Sequence, residues 1–299
     1  MDAGSLFLQQ LINGLSLGSV YALIALGYTM VYGIVKLINF AHGDILMLGA
    51  YSGYFVLRQF GTTPVGMFLA FIFAMVVCAV ISILIERFAY RPLRSAPRLN
   101  SLITAIAVSL ILQNGARVLL FIGPNPRQYP TMETININLG VVSISNIQMI
   151  VIALSAVLML ILNYIINYTK TGKAMRAVSY DMQAASLMGI SVNKTIAFTF
   201  ALGAVLAAAG GVLYATAYPQ IEPTMGTMPG LKAFVAAVLG GIGSVPGAML
   251  GGYILGVAET MTKGFIDSQY ADAISFSILI IILLVKPTGI LGEKIRVKV

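Results

Sequence analysis

A succession of apolar runs, separated by short polar or basic connections, limits what this chain can fold into. A helix needs about 20 mostly apolar residues to cross a bilayer. Charged residues make up only 9% of the chain and apolar residues 59%, whereas soluble domains carry about 25% charged residues. The runs cover residues 6–35, 41–58, 64–86, 101–122, 147–167, 195–218, 231–242, 247–261 and 271–285.

These runs predict an all-α fold, a polytopic membrane bundle of about eight to nine transmembrane segments. It forms a single domain over residues 1–299. The connection at residues 123–146 differs from the others, because its segments TININ and GVVSIS alternate apolar and polar residues around Leu139 and Gly140. Such alternation predicts a small β-hairpin on the outer face, with an ordinary irregular loop as the alternative.

The basic residues predict the orientation of the bundle. They are concentrated beside apolar runs at residues 87–98, 170–194 and 286–298. Loops rich in lysine and arginine stay on the cytoplasmic side of a membrane. Counting crossings from these clusters places the N-terminus outside and the C-terminus in the cytoplasm. The net charge of +8 follows from this bias, so it does not indicate nucleic-acid binding.

The motifs of enzymes and ion-coupled carriers are missing from the sequence. Cys78 is the only cysteine and His42 the only histidine, so we expect no disulfide within the chain and no metal site. The sequence has no phosphate-binding loop, no HExxH motif and no nucleophile elbow. Acidic residues within the apolar runs are also scarce, which argues against proton or sodium coupling. A transport function would therefore need energy from a partner.

A cytoplasmic partner would most easily bind residues 168–194, which we call the basic segment. This segment is basic, rich in alanine and enclosed between two apolar runs, so it lies at a membrane surface. We predict one short helix from residue 175 to 187, presenting Met175, Val178, Met182, Ala185 and Leu187 to a groove in the partner. Lys173 and Arg176 would lie at its rim, and Gly172 and Gly189 would bound it. The alternative is a loop that only connects two helices.

Two interruptions of the apolar pattern are candidates for a translocation pathway. The first is KLINFAHGD at residues 36–44, with Asn39, His42 and Asp44, and the second is GGIGSVPG at residues 240–247. Backbone that leaves the helix at membrane depth must be buried in protein or line a wet cavity. Transporters place substrate at such discontinuous helices. In the second interruption, Gly240, Gly241 and Gly243 could leave room for a solute; the alternative is that both interruptions are tight turns at the membrane surface.

Residues 18–53, GSVYALIALGYTMVYGIVKLINFAHGDILMLGAYSG, resemble the permeases of branched-chain amino acid ABC importers, and in particular the first of their two different permease subunits. The segments ERFAYRP, TGKAMRAVSYDMQAASLMGI, MPGLKAFVAAVLGGIGSVPGAMLGGYILG and KPTGILG resemble the same family. The family's ATPase-docking loop carries an EAA-like sequence followed by glycine. Asp181, Ala184, Ala185 and Gly189 occupy comparable places here, with aspartate in the place of glutamate.

The resemblance implies a subunit of the bacterial inner membrane that works with several partners. An extracytoplasmic binding protein would deliver leucine, isoleucine or valine to a heterodimer of this chain with a second homologous permease. Two ATP-binding cassette subunits would grip the basic segment and use ATP and magnesium, while this chain would bind no cofactor itself. Three alternatives remain: the same architecture serving urea or short amides, an ATP-independent channel or facilitator, and a membrane scaffold.

Overall fold

The computed structural model describes residues 3–36, 39–94, 96–119, 122–138 and 140–292. Within these ranges the chain forms eleven α-helices and four very short strands. The helices are α1 (Ala3–Val35), α2 (His42–Phe60), α3 (Pro64–Ile85), α4 (Arg98–Val118), α5 (Asn146–Tyr168), α6 (Lys170–Tyr180), α7 (Met182–Leu187), α8 (Val192–Ala217), α9 (Thr227–Gly240), α10 (Val245–Phe265) and α11 (Ala271–Val285). A π-helical turn, Glu86–Tyr90, extends α3.

The predicted all-α membrane bundle is confirmed. Among the described helices, six stretches are long and apolar enough to cross a bilayer: α1, α3 with its extension, α4, α5, α8 and α11 with the turn before it. Helices α2 and α10, of 19 and 21 residues, complete the bundle together with the shorter α9. The chain is therefore a multi-pass membrane protein. Helix α9 begins at Thr227 and not near residue 231.

Helices α1 and α8 form the centre of the bundle. Both are apolar on all sides, a pattern found in helices that are enclosed by protein or by lipid. In the most apolar stretch of α1, 83% of the residues are buried, compared with 22% in α4 and 11% in α11. The peripheral helices instead expose leucine and isoleucine, such as Ile111 and Leu284, which is the surface that lipid covers. The core therefore surrounds α1.

Small residues hold α1 against α10. A Cβ atom added at Gly256 would lie 2.4 Å from the Cα of Gly18, and one added at Gly252 would lie 2.6 Å from the Cα of Ala22. The two backbones thus touch, with the helices antiparallel. Close backbone approach matters in membranes because lipid tails are as apolar as the side chains and give helices no hydrophobic reason to associate.

The strands mark one end of the bundle. Strand β2 (Asn136–Asn138) pairs antiparallel with β3 (Ser143–Ser145), with Ile137 opposite Ile144. The predicted hairpin is therefore confirmed, although Leu139 in its turn lies outside the described residues. Strand β1 (Arg127–Gln128), in the connection between α4 and α5, pairs antiparallel with β4 (Gln220–Ile221), in the connection between α8 and α9. We call this the hairpin end of the bundle and the opposite end, where α6 and α7 lie, the basic-segment end.

Candidate functional site

The first interruption follows the end of α1. Lys36 has a φ of +56°, in the left-handed region that normally favours glycine. Residues 37 and 38 lie outside the described ranges, and α2 then starts at His42. Asn39, His42 and Asp44 are all buried, with 6%, 3% and 2% of their surface exposed. A strained residue followed by three buried polar side chains is typical of a functional segment.

The start of α2 lies inside the bundle. The imidazole of His42 packs on α1 at Gly27, where an added Cβ atom would lie 2.2 Å from Nε2. Gly27 in turn packs on the backbone of Gly203, close to the middle of α8. Since α8 crosses the whole bundle, α2 begins near half depth. A tight turn at the surface would instead place His42 beside the last residues of α1.

Each polar side chain of this interruption has different partners. Asn39 Oδ1 accepts hydrogen bonds from the backbone N–H of Ala41 at 3.1 Å and from the hydroxyl of Tyr90 at 2.6 Å. The His42 ring packs edge-on against Tyr28 at a centroid distance of 4.7 Å. Its Nε2 has no hydrogen-bond partner among the described residues. Asp44 Oδ1 accepts a 2.9 Å hydrogen bond from Gln113 Nε2, a residue of α4.

The start of α9 meets the start of α2 at the same place. A Cβ atom at Gly43 would lie 2.5 Å from the carbonyl oxygen of Gly226, and one at Gly230 would lie 2.8 Å from the Cα of Gly43. A cavity of about 110 Å³ opens beside this contact. It is lined by Tyr28, Phe40, Gly43, Asp44, Ser109, Gln113, Gly226, Thr227, Gly230 and Leu231. The sequence prediction missed the α9 residues, although Pro229 near a helix start and Gly226 before it were usable signals.

The second interruption, at residues 240–247, is filled by backbone. An added Cβ atom at Gly240 would lie 1.9 Å from the carbonyl oxygen of Gly247, and one at Gly241 would lie 2.5 Å from the backbone nitrogen of Gly292. Ile290 and Leu291 also donate backbone hydrogen bonds to Leu239 and Gly240. The expected room for a solute at Gly240 and Gly241 is therefore not present here. Gly243, with a φ of +100°, is exposed at the turn.

The basic segment forms two helices, so the prediction of one helix from residue 175 to 187 was wrong. Asp181 separates α6 from α7 with an extended backbone, and its Oδ1 accepts hydrogen bonds from the N–H groups of Gln183 and Ala184 at 2.8 and 2.9 Å. An aspartate that accepts from the next turn is an N-cap, which starts a new helix. Gly189, with a φ of +83°, follows the end of α7.

Most of the predicted partner-facing side of this segment points the other way, and only Leu187 of that set is exposed. Met175 and Val178 are buried because α6 packs across α1, α5 and α8. Ala185 is buried, and Met182 partly buried, because α7 packs on α6 and α8. Gly172 is buried where an added Cβ atom would lie 2.1 Å from the carbonyl oxygen of Ile166, so α6 touches the end of α5. The exposed site residues are Lys173, Arg176, Asp181, Ala184 and Gly189.

The segment also exposes three large apolar side chains, of which the sequence prediction included Leu187 and missed Tyr180 and Met188. Tyr180 is 96% exposed, Leu187 89% and Met188 82%. Tyr180 is the last residue of α6, directly before the break at Asp181, and Leu187 and Met188 lie at the end of α7. Because this surface belongs to a polar, basic segment and not to a lipid-facing helix, lipid does not account for its exposure. Apolar side chains of this kind mark an interaction site.

A chain of polar contacts runs from the basic segment to the first interruption. Arg94 donates to Asn193 Oδ1 at 2.7 Å and pairs with the buried carboxylate of Glu86. Four residues after Glu86, Tyr90 hydrogen-bonds Asn39. Glu86 and Tyr90 are the two ends of the π-helical turn, a geometry that is frequent at functional sites. The start of α8, the end of α3 and the interruption are thus connected directly.

Comparison with known proteins agrees with this architecture. Residues 10–283 match the family described as the permease component of branched-chain amino acid transport systems. The high-affinity branched-chain amino acid transport system permease protein LivH of Escherichia coli strain K12 is 44% identical over 298 residues, which cover 96% of both chains. The corresponding BraD of Pseudomonas aeruginosa is 45% identical over 297 residues, with 96% of both chains covered.

A more distant relative extends the comparison to an archaeon. The probable branched-chain amino acid transport permease protein LivH of Methanocaldococcus jannaschii is 31% identical over 287 residues, which cover 92% of this chain and 89% of the relative. The family match and these relatives span nearly all of the bundle, including α2, α9 and the basic segment. The chain belongs to the family of branched-chain amino acid transport system permease components.

Proposed function

We propose that this chain is a permease subunit of an ATP-driven importer that carries leucine, isoleucine and valine into the cytoplasm. Its relatives named LivH and BraD are permeases of high-affinity branched-chain amino acid transport systems. A second homologous permease would complete the path, and an extracytoplasmic binding protein would deliver the substrate. Two ATP-binding cassette subunits would bind ATP and magnesium. The basic-segment end, with its lysines and arginines, faces the cytoplasm and the N-terminus lies outside.

The observation that carries this proposal is the exposed apolar surface of Tyr180, Leu187 and Met188. An apolar surface on a cytoplasmic loop fits a protein partner, and the exposed Lys173 and Arg176 add charges around it. The opposite face of the segment is anchored by Met175 and Val178. A partner that moves the exposed surface therefore moves the buried one with it.

Movement of α6 would reach the first interruption by two routes. Helix α6 packs on α1, whose last residue precedes Lys36 by a single position. It also packs on α8, whose start is linked through Asn193, Arg94 and Glu86 to the π-helical turn. Packed helices transmit displacement as rigid bodies. ATP-driven closure of the partner subunits would thus change the position of Asn39, His42 and Asp44.

The proposal is tested with the tagged chain co-purified with its native partners and reconstituted in proteoliposomes. We expect uptake of radiolabelled leucine that requires both ATP and the binding protein, and that unlabelled isoleucine and valine suppress. Unlabelled urea and acetamide should have no effect. Uptake that is indifferent to ATP would support a facilitator, and suppression by urea or acetamide would support an importer of amides.

The docking surface has its own test in the same preparation. Replacing Leu187 and Met188 with aspartate should remove the ATP-binding subunits from the purified complex, because charged side chains cannot be buried unpaired in an apolar interface. Gln183→Asp with Ser186→Asp is the matched control, since both are exposed neighbours and their replacement adds the same two negative charges. Retention of the ATP-binding subunits by the double variant would place docking elsewhere.

A further inference from the structure

The cavity where α2 and α9 begin has an unusual electrostatic composition. The residue before α2 is Ala41 and the residue before α9 is Gly226, and no side chain among the described residues caps either start. Backbone carbonyls accept hydrogen bonds from the N–H groups of His42, Asp44 and Thr227. Each helix N-terminus carries the equivalent of about half a positive charge. Broken helices of transporters point such ends at anionic groups of their substrates. Two uncapped ends therefore converge on one cavity of about 110 Å³.

One carboxylate balances these helix ends. Asp44 is the only charged side chain among the described residues that line the cavity, and it is 2% exposed. Gln113 donates to its Oδ1, whereas Oδ2 has no hydrogen-bond partner among the described residues. A buried carboxylate oxygen without a partner is costly unless something else binds it. The two helix ends together carry about one positive charge, and the Asp44 carboxylate carries one negative charge. The site as a whole is therefore close to neutral, with the positive and negative charges at different places.

We propose that this cavity binds the charged head group of an α-amino acid, with the α-ammonium on Asp44 and the α-carboxylate toward the uncapped starts of α2 and α9. The inference rests on the proposed function and adds the residues that recognise the substrate. A neutral site with separated charges complements a zwitterion. It disfavours a simple cation or anion, because either would leave one part of the site uncompensated.

The cavity's size and walls fit the same assignment. Pockets for whole drug-sized ligands enclose about 300 to 1,000 Å³, so 110 Å³ suits a head group and not a complete leucine. Gly43, Gly226 and Gly230 leave backbone as the wall on one side. Phe40 and Leu231 supply apolar surface beside it. The branched side chain of the substrate would extend past these two residues.

The competing explanation is structural: Asp44 would only neutralise two helix ends. The two explanations differ in what an Asp44→Asn variant binds. Removing the carboxylate leaves a net positive site, which disfavours leucine but favours 4-methylpentanoate, the same molecule without the ammonium group. A structural role would lower the amount of assembled complex without changing the preference between the two ligands.

Binding is measured on the complete permease complex without the binding protein, using radiolabelled leucine and 4-methylpentanoate in a proximity assay. We expect Asp44→Asn to reduce the ratio of leucine to 4-methylpentanoate affinity at least tenfold. Glu133→Gln, which removes a carboxylate from an exposed loop at the hairpin end, should leave the ratio unchanged. An unchanged ratio in Asp44→Asn would overturn the proposal.

If Asp44→Asn fails to assemble, Thr227→Val provides the second test. Thr227 is exposed and begins α9, so its replacement should be tolerated, and it lines the cavity, where its hydroxyl accepts a 3.4 Å hydrogen bond from Gln113 Nε2. We expect this variant to lose discrimination between leucine and leucinamide at least threefold, and equal discrimination would overturn the proposal. Absence of ATP-driven leucine uptake by the wild-type complex would refute the proposed function separately, since the ligand ratios are measured without ATP.

Discussion

The hydroxyl of Tyr90 donates a 2.6 Å hydrogen bond to Oδ1 of Asn39, and both residues are buried. This bond connects the π-helical turn after α3 with the interruption that precedes α2. The ring of Tyr90 also packs on Phe200 of α8 at a centroid distance of 5.5 Å. Tyr90 thus touches the interruption through its hydroxyl and α8 through its ring.

Replacing Tyr90 with phenylalanine should separate these two contacts. The ring would keep its packing on Phe200, and Asn39 would keep the N–H of Ala41 but lose the hydroxyl, which costs about 1 kcal/mol of stability. We expect correct assembly with uptake of leucine reduced severalfold. Tyr164→Phe, at a 62% exposed tyrosine of α5, is the control. Normal uptake by Tyr90→Phe would show that the bond only stabilises the fold.

Gly27 and His42 give a prediction with an internal control. In Gly27→Ala the added Cβ would lie 2.2 Å from His42 Nε2 and must displace the imidazole. In Gly33→Ala the nearest atom would be 3.7 Å away, so the same change on the same helix should be tolerated. We expect Gly27→Ala, and not Gly33→Ala, to impair assembly of the complex and to lower leucine uptake at least tenfold. The double variant Gly27→Ala with His42→Ala should recover assembly; failure to do so would assign the defect to the backbone of Gly203.

Glu86 and Arg94 should be strongly coupled in stability. Glu86 is buried, and its salt-bridge partner Arg94 has 17% of its side chain exposed. Arg94→Met leaves the Glu86 carboxylate buried and unpaired, and breaking a buried ion pair in this way costs about 3 kcal/mol of stability. We expect the additional change Glu86→Gln to restore much of the lost thermal stability, measured in detergent. Additive losses in this double-mutant cycle would mean that the pair contributes little.

The ion-pair cluster between α9, α10 and α11 predicts that two lysine substitutions lower the stability by different amounts. Lys232 is buried and binds both Glu259 at 2.9 Å and Asp272 at 2.6 Å. Lys263 is 41% exposed and, within the described part of the chain, forms one ion pair, with Glu259 at 2.7 Å. Glu259 also accepts a hydrogen bond from Tyr21. Lys232→Met should therefore lower the thermal midpoint much more than Lys263→Met. Equal losses of thermal stability would indicate that solvent screens the ion pairs of the two lysines alike.

Local sequence signals predicted most of the helices. Hydropathy and length marked α1, α3, α5 and α11, because a membrane helix must be apolar over its whole crossing whatever it packs against. Alternation marked the hairpin, in which Ile137 faces Ile144. The overlooked break at Asp181 was local as well, because an aspartate before Met-Gln-Ala-Ala is a capping signal and could have been read as one.

The membrane bundle, its loops and the presence of two interruptions follow from the properties of neighbouring residues, so they could be predicted from the amino-acid sequence. Packing between distant segments instead sets the depth of the first interruption, near the middle of the bundle, and fills the second with backbone from residues 289–292. It also turned Met175 and Ala185 inward and brought Gly43 against Gly226. Such contacts join residues far apart in the chain, and glycine permits close approach without specifying its partner.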